Sequence, residues 1–392
     1  MNRAPLVAFA DICESVRYGY TASASEAEVG PRFLRITDIV TDLIDWNSVP
    51  FCEIDDSDKE RFALKTGDIV VARTGATVGY AKLIRDSVDA VFASYLVRFR
   101  VDEKQADPGF VGRLVESLIY KDFVKSRVSG AAQPNANAQV LGSFQFRLPL
   151  RREQKCIADI LSAYDDLIEN NRRRMALLEQ AARQLYREWF VRLRFPGHEH
   201  TRITKGVPEG WEWKRLGELA HITMGQSPES TYYNEHGEGL PFHQGVTDFG
   251  DRFVSHRVYC TALNRIAEAG DILCSVRAPV GRLNVTLDRI VIGRGLAALL
   301  SKTENQSFLF QRLRSHFFKE DLIGSGAIFT SVTKKEFESQ VLMDPPIRLK
   351  RAFEDIVVPC DEQLRVLHLQ NQKLRAARDL LLPRLMSGEI ET

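Results

Sequence analysis

From Ile157 to Trp189 a stripe of mostly apolar residues recurs every three or four positions: Ile157, Leu161, Tyr164, Ile168, Asn171, Met175, Leu178, Ala182, Leu185 and Trp189. The steps alternate four and three without a slip, which is the 3.5-residue period of a heptad seam. No Pro or Gly interrupts the stretch between Arg151 and Val191, and charges such as Asp159, Glu169, Arg172, Arg173 and Glu188 fill the other faces. A helix of about 40 residues is roughly 60 Å long, too long to lie buried within one domain. A lone helix with so narrow a seam needs a partner. The C-terminal stretch offers one, through Phe353, Ile356, Cys360, Leu364, Leu367, Asn371, Leu374, Arg378, Leu381 and Leu385, with one extra step near Pro359. Each seam holds a single Asn near its middle. In an antiparallel coiled coil Asn171 and Asn371 are expected to meet, and a buried Asn fixes register at some cost in stability.

The rest of the chain alternates short strand-like runs with turns. Pro31–Ile39 reads as a strand, and Gly67-Asp68 opens the β-branched run Ile69-Val70-Val71 before the small-residue loop Thr74-Gly75-Ala76-Thr77-Val78-Gly79. Helical spacing between Phe110 and Val128 leads to Ser129-Gly130-Ala131 and the polar loop Gln133-Pro134-Asn135-Ala136-Asn137. These features then recur about 200 residues later. Gly270-Asp271-Ile272-Leu273 matches Gly67-Asp68-Ile69-Val70, Val280-Gly281 matches Val78-Gly79, and Ser325-Gly326-Ala327 matches Ser129-Gly130-Ala131. Leu216-Gly217-Glu218-Leu219-Ala220 likewise echoes Leu6-Val7-Ala8-Phe9-Ala10, and Asp344-Pro345-Pro346 echoes Leu148-Pro149-Leu150. The expected organisation is an α+β chain of two tandem mixed domains, 1–150 and 196–346, with long helices at 151–195 and 347–392 that give it pseudo-two-fold symmetry.

Composition narrows the chemistry. Of 392 residues 44% are hydrophobic, enough for two or three cores, and the formal net charge is only +1. Any nucleic-acid affinity must come from local patches or a partner. No apolar run approaches a membrane span, and Met1–Pro5 lacks a signal-peptide core, so a cytoplasmic protein is expected. The cysteines Cys13, Cys52, Cys156, Cys260, Cys274 and Cys360 form no CxxC pair, so reduced thiols are expected and no zinc site. His198 and His200 form a metal-type pair without a third ligand nearby and read as linker. Phosphate loops, dinucleotide fingerprints and hydrolase motifs are missing. Asp344-Pro345-Pro346-Ile347 imitates an adenine-methyltransferase motif, but it has Ile in place of the stacking aromatic and occupies a helix-start position.

These features together resemble the specificity subunit of a type I restriction–modification enzyme, over essentially the whole chain. The likeness rests on the Gly-Asp-Ile strand and Gly loop in both halves and on the Ser-Gly-Ala motifs. Glu153-Gln154 before the central helix, Pro208-Glu209-Gly210-Trp211 and the terminal Leu380–Glu389 add to it. The second half lacks a counterpart of Glu153-Gln154. The resemblance implies a non-catalytic subunit whose two target-recognition domains each read half of a bipartite double-stranded DNA site. It implies a coiled coil that acts as ruler and docks two methyltransferase subunits, with nuclease and translocase subunits joining. S-adenosylmethionine, ATP and Mg then belong to those partners. Two bodies on a rod of roughly 60 Å suit half-sites one helical turn, roughly 34–36 Å, apart.

Base readout draws on Arg, Asn, Gln, Ser and Thr in exposed loops. The first-domain candidates are Arg73, Thr74, Thr77, Gln133, Asn135 and Asn137. Those of the second are His243, Gln244, Ser275, Arg277, Thr330 and Ser331. Each also reads as an ordinary turn residue, and Tyr18 and Tyr232 read equally as stacking or half-buried rings. Two other classes fit the same residues: a single-chain DNA methyltransferase, and a tethering protein without DNA contact.

Overall fold

The computed structural model describes residues 4–41, 43–128, 135–317, 331–387 and 389–390. It contains two compact units, Met1–Asn170 with Asn371–Thr392, and Asn171–Gln370. The Ser129-Gly130-Ala131 and Ser325-Gly326-Ala327 motifs lie outside the described residues.

The first unit is built on an antiparallel sheet in the order Cys13–Tyr18, Leu96–Val101, Asp68–Ala72, Ala81–Leu83. Every residue of Asp68–Ala72 is buried, because both faces of the sheet are covered. Ile69 and Val71 pack with Phe110, Val111 and Leu114, which lie on the helix Pro108–Glu116. Val70 and Ala72 point the other way, into a cluster with Leu34, Ile39 and Phe92. The strand therefore reads as a continuous β-branched run rather than an alternating one.

The second unit repeats this arrangement with Ala220–Met224, Leu296–Ser301, Ile272–Ser275 and Leu283–Val285 in the same order, also antiparallel. Ile272 and Cys274 pack with Leu309 and Leu313 of the helix Gln306–Phe317, while Leu273 joins Ile290 and Ile292 on the opposite face. The turns match in atomic detail. Gly67 and Gly270 take φ of +92° and +93°. The next residue's carboxylate accepts a backbone N–H three residues back, Asp68 from Lys65 at 2.8 Å and Asp271 from Glu268 at 2.9 Å. Gly79 and Gly281, also left-handed, leave no room for a side chain: an added Cβ would sit 2.9 Å from that of Val124 or Phe317. Beside this common sheet the first unit has the parallel pair Arg32–Leu34 and Ala90–Phe92, whereas the second has a five-stranded sheet.

The central helix runs from Arg151 to Tyr186 and continues as a π-helical turn, Arg187–Val191. The C-terminal helix, Ile347–Ser387, passes through Pro359 without a break. Within the first unit they run antiparallel: Asn371 donates to the Ile168 carbonyl at 3.3 Å, and Arg378 meets Asp165 at 2.7 Å. Within the second unit the same sense holds, with Arg174 donating to Gln363 and with Ala182, Tyr186 and Phe190 packing on Phe353 and Val357. Ile157, Leu161, Ile168, Asn171, Leu364, Leu367 and Asn371 are buried, and Tyr164, Leu178, Leu374 and Leu381 are half-buried.

The expected seam needs correction at two places. Ile356 is 49% exposed, whereas Val357 is 1% exposed. Substituting Val357 removes the extra step near Pro359 and leaves Phe353, Val357, Cys360, Leu364 and onward as an unbroken alternation of four and three. On the central helix Leu185 and Trp189 are half-buried and pack on the same cluster, while the neighbouring Tyr186 and Phe190, which the seam leaves out, are buried in it. There the requirement is a fit to an aromatic cluster, with the Phe190 ring 4.9 Å from Phe308 and 5.3 Å from Phe353. The π turn re-aims this end of the helix.

Each unit ties its body to the helices through an ion cluster, centred on a buried Asp165 in the first and half-buried around Arg252 in the second. In the first, the Asp165 carboxylate is engaged by Arg113, by Arg85 at 3.0 Å and by Arg378 at 2.7 Å. Burial by itself pushes the Asp165 carboxyl up, but the guanidinium groups outweigh it and hold the group below its ordinary value. In the second, Arg252 bridges Glu179 at 3.4 Å and Asp361 at 2.9 Å and lies 3.5 Å over the Phe310 ring, while Arg314 reaches Glu179 at 2.7 Å.

The revised seam makes a testable distinction. Val357→Ala is expected to destabilise the protein by roughly 1–3 kcal/mol, whereas Ile356→Ala changes stability by no more than about 0.5 kcal/mol. Denaturant unfolding of the two variants checks this, and equal losses would restore the seam through Ile356.

Candidate nucleic-acid interface

In both units, loops far apart in sequence are stitched together by backbone hydrogen bonds. Thr74 forms an isolated β-bridge with Asn135, and Ala136 N–H donates to the Arg73 carbonyl at 2.8 Å. In the second unit Arg277 bridges Ser331, and Val332 N–H donates to Val276 at 2.9 Å. A third segment joins each pair. Arg73 N–H donates to Tyr95 at 3.0 Å, and Val276 N–H donates to Gly295 at 2.9 Å. The Gly loop and the polar loop that the sequence singles out thus lie side by side, together with a segment it did not single out.

The individual side chains divide into reachable and committed groups. In the first unit Asn135 is exposed, while Thr74 and Thr77 are half-buried. The Arg73 guanidinium lies 4.9 Å from the centre of the Tyr18 ring, whose hydroxyl accepts the Ala138 N–H. Asn137 caps the helix Ala138–Gly142 by accepting the Val140 N–H at 2.8 Å, a job that N-cap Asn residues commonly do. Gln133 and Thr330 lie outside the described residues. In the second unit Gln244, Arg277 and Ser331 are exposed, and Gln244, Ser275, Arg277 and Arg294 line one depression.

Two candidates have to be withdrawn. His243 is 0% exposed and Ser275 is 1% exposed, so neither side chain has surface to offer a base. The Ser275 hydroxyl closes its own loop, donating to the Pro279 carbonyl at 2.5 Å and accepting the Arg282 N–H at 2.9 Å. His243 Nε2 lies 2.9 Å from His256 Nδ1, and His256 Nε2 lies 2.9 Å from Asp288. The residues that sequence reasoning missed are Tyr95, 60% exposed, and the exposed Arg294. Both sit in the turn just before a long strand, at Leu96 and Leu296, and that repeated turn is the signal that could have found them.

The remaining motifs resolve into structure. Asp344 is buried between Lys350 at 2.8 Å and Lys214 at 3.0 Å, so Asp344-Pro345-Pro346 starts a helix and holds an ion pair. Lys350 stands where the first half has Gln154, which accepts the Asp107 N–H and donates to the Pro149 carbonyl. His198 lies against its own Phe195 carbonyl, and among the described residues no group of three or more His, Cys, Asp or Glu is placed to hold a metal. No helix of the described residues is long and apolar enough to cross a membrane.

A duplicated α/β body, each copy bringing three loops together at the same place and anchored on a long helix, defines a protein with two like recognition units. The family model for the type I restriction modification DNA specificity domain matches residues 8–180. A putative type I restriction enzyme specificity subunit of Methanocaldococcus jannaschii is 30% identical, over 97% of this chain and 92% of that protein. The specificity subunit of a type I restriction enzyme of Haemophilus influenzae is 22% identical, over 84% of this chain and 87% of that one. The crystal structure of a type I restriction–modification S subunit from M. genitalium shares the fold, with a TM-score of 0.56 at 15% identity over 98% of this chain and 97% of that one. The chain belongs to the family of type I restriction enzyme specificity subunits.

The buried histidine supplies a pH test. Burial, and then the neighbouring His256 charge, push the His243 pKa down to about 4, with Asp248 opposing. An unfolded His takes up a proton near pH 6.5. The unfolded chain therefore binds more protons between about pH 6.5 and pH 4, and folding stability falls as pH falls through that window. His243→Gln is expected to flatten this part of the profile. Chemical unfolding at pH 7 and pH 5 measures it, and a difference as large in the variant as in the parent would discard the assignment.

Proposed function

We propose that this chain is the DNA-reading subunit of a type I restriction–modification complex, with each unit reading one half of a bipartite double-stranded site through its three converging loops. The observation that carries this reading is the recurrence of the convergence, Thr74 against Asn135 in one unit and Arg277 against Ser331 in the other. Polar and basic side chains on a rigid sheet edge are what base readout requires. A net charge of +1 leaves the reading to such local contacts and to partners.

The paired long helices dock two methyltransferase subunits, and nuclease and translocase subunits join the assembly. This chain performs no chemistry of its own: S-adenosylmethionine serves the methyltransferase subunits, and ATP and Mg the restriction subunits, in the cytoplasm. Family membership supports this division of labour, as does the structural use of Asp344, the one residue placed like a methyltransferase motif.

Modularity is the test. Replacing residues 1–150 with those of another family member is expected to change one half of the methylated motif and leave the other intact. Replacing residues 196–346 is expected to do the converse. Methylome sequencing of hosts carrying each chimera reads the outcome, and a single exchange that altered both halves would defeat the proposal of two independent readers. S-adenosylmethionine bound by the purified chain alone would favour a single-chain methyltransferase instead.

A further inference from the structure

The stitching bonds align the two units residue by residue. Because Arg73 N–H donates to Tyr95 and Val276 N–H donates to Gly295, Arg73 corresponds to Val276 and Tyr95 to Gly295. It follows that Thr74 corresponds to Arg277, as the bridges to Asn135 and Ser331 also require, and Ser94 to Arg294. At two equivalent places the first unit presents hydroxyls and the second presents guanidinium groups.

Several arginines of the second unit are committed to carboxylates. Arg252, Arg257, Arg289 and Arg314 all have carboxylate partners. Arg277 and Arg294 are exposed and, among the described residues, make no ion pair. Both line one depression with the exposed Gln244 amide. Their backbones are held firmly. Gly293 N–H donates to the His243 carbonyl at 2.8 Å and Gly295 N–H to the Gln244 carbonyl at 3.1 Å, and a Cβ on Gly295 would strike that same carbonyl. Ser275 closes the loop that carries Arg277. Long side chains without an ion pair among the described residues, on a rigid support, are suited to reading rather than to folding.

Resting on the function proposed above, we propose that Arg277 and Arg294 recognise guanine in the half-site of the second unit, so that this half-site holds an obligatory G·C pair. A guanidinium fork matches the O6 and N7 acceptors of guanine in the major groove, whereas the Thr and Ser hydroxyls at the equivalent places accept either kind of base.

The test uses the assembled methyltransferase complex and a library of duplexes randomised in both halves of the site. The second unit's half is the one that moves when residues 196–346 are exchanged. The parent complex is expected to require G·C at a fixed position there. Arg294→Ala and Arg294→Lys are both expected to lower that preference by about tenfold or more, and Arg277→Ala and Arg277→Lys to do so at the same or the adjacent base pair, leaving the other half unchanged. Lysine keeps the charge but not the fork, so it separates base reading from phosphate contact. A parent half-site without an obligatory G·C pair would overturn the proposal. So would a uniform loss of methylation in the alanine variants that lysine restores, which marks a phosphate contact. If the parent complex prefers no sequence at all, the reading of the function itself fails, and this inference goes with it.

Discussion

Everything else in this protein depends on how a long helix with a narrow apolar seam is anchored to a compact body. The seam alone offers one face, and an isolated helix with one apolar face does not persist in water. The structure adds a second fastening in each unit: a carboxylate on the helix surrounded by arginines from the body. Asp165 receives Arg85 and Arg113 in the first unit, and Glu179 receives Arg252 and Arg314 in the second. Such clusters are weak sources of net stability, since desolvating the charges offsets much of their attraction. Removing one partner is different, because it strands buried charge at a cost of about 3–5 kcal/mol. The clusters therefore work as locks: one placement of body on helix satisfies all the charges, and slipped placements strand them.

Anchoring bears directly on recognition. A reader of DNA must present its loops in a constant position, and loops are the least ordered parts of most folds. Here the three loops of each candidate edge are tied to one another by backbone hydrogen bonds at the ends of strands of the sheet that the helix anchors. Glycines make this possible where no other residue fits, as at Gly79 and Gly281, which lie against the side chains of Val124 and Phe317. The parts that recur in both copies are thus its scaffold. The side chains that differ between the two copies, Thr74 against Arg277 and Ser94 against Arg294, stand on that scaffold, half-buried in the first unit and exposed in the second. A duplicated body with varied tips can read two different half-sites with one fold.

Much of this was legible in the sequence, for definite physical reasons. The heptad period, the Gly-Asp turn before a β-branched run and the second occurrence of both about 200 residues later are local patterns. They follow from backbone geometry and from which faces of an element are buried. They were enough for the fold class, the two long helices and their antiparallel pairing, and two loops that the structure brings side by side. The slip at Pro359 arose because Ile356 and Val357 are equally apolar neighbours. Hydrophobicity alone does not say which of two adjacent residues faces the partner.

Long-range contacts were not legible. Nothing in the spacing of Thr74 and Asn135 announces a bridge between them, nor that Tyr95 and Arg294 complete the edge. His243 and Ser275 looked like readers because they are polar and border loops, yet each ends a strand, and one is sealed against the His256 ring while the other ties its own turn. The sequence by itself determined the elements, their periodicity and their duplication, since these depend on residues a few positions apart. Which polar side chains remain free to meet a ligand was decided only by the tertiary structure, because a side chain's solvent is set by whatever distant residue the fold lays over it.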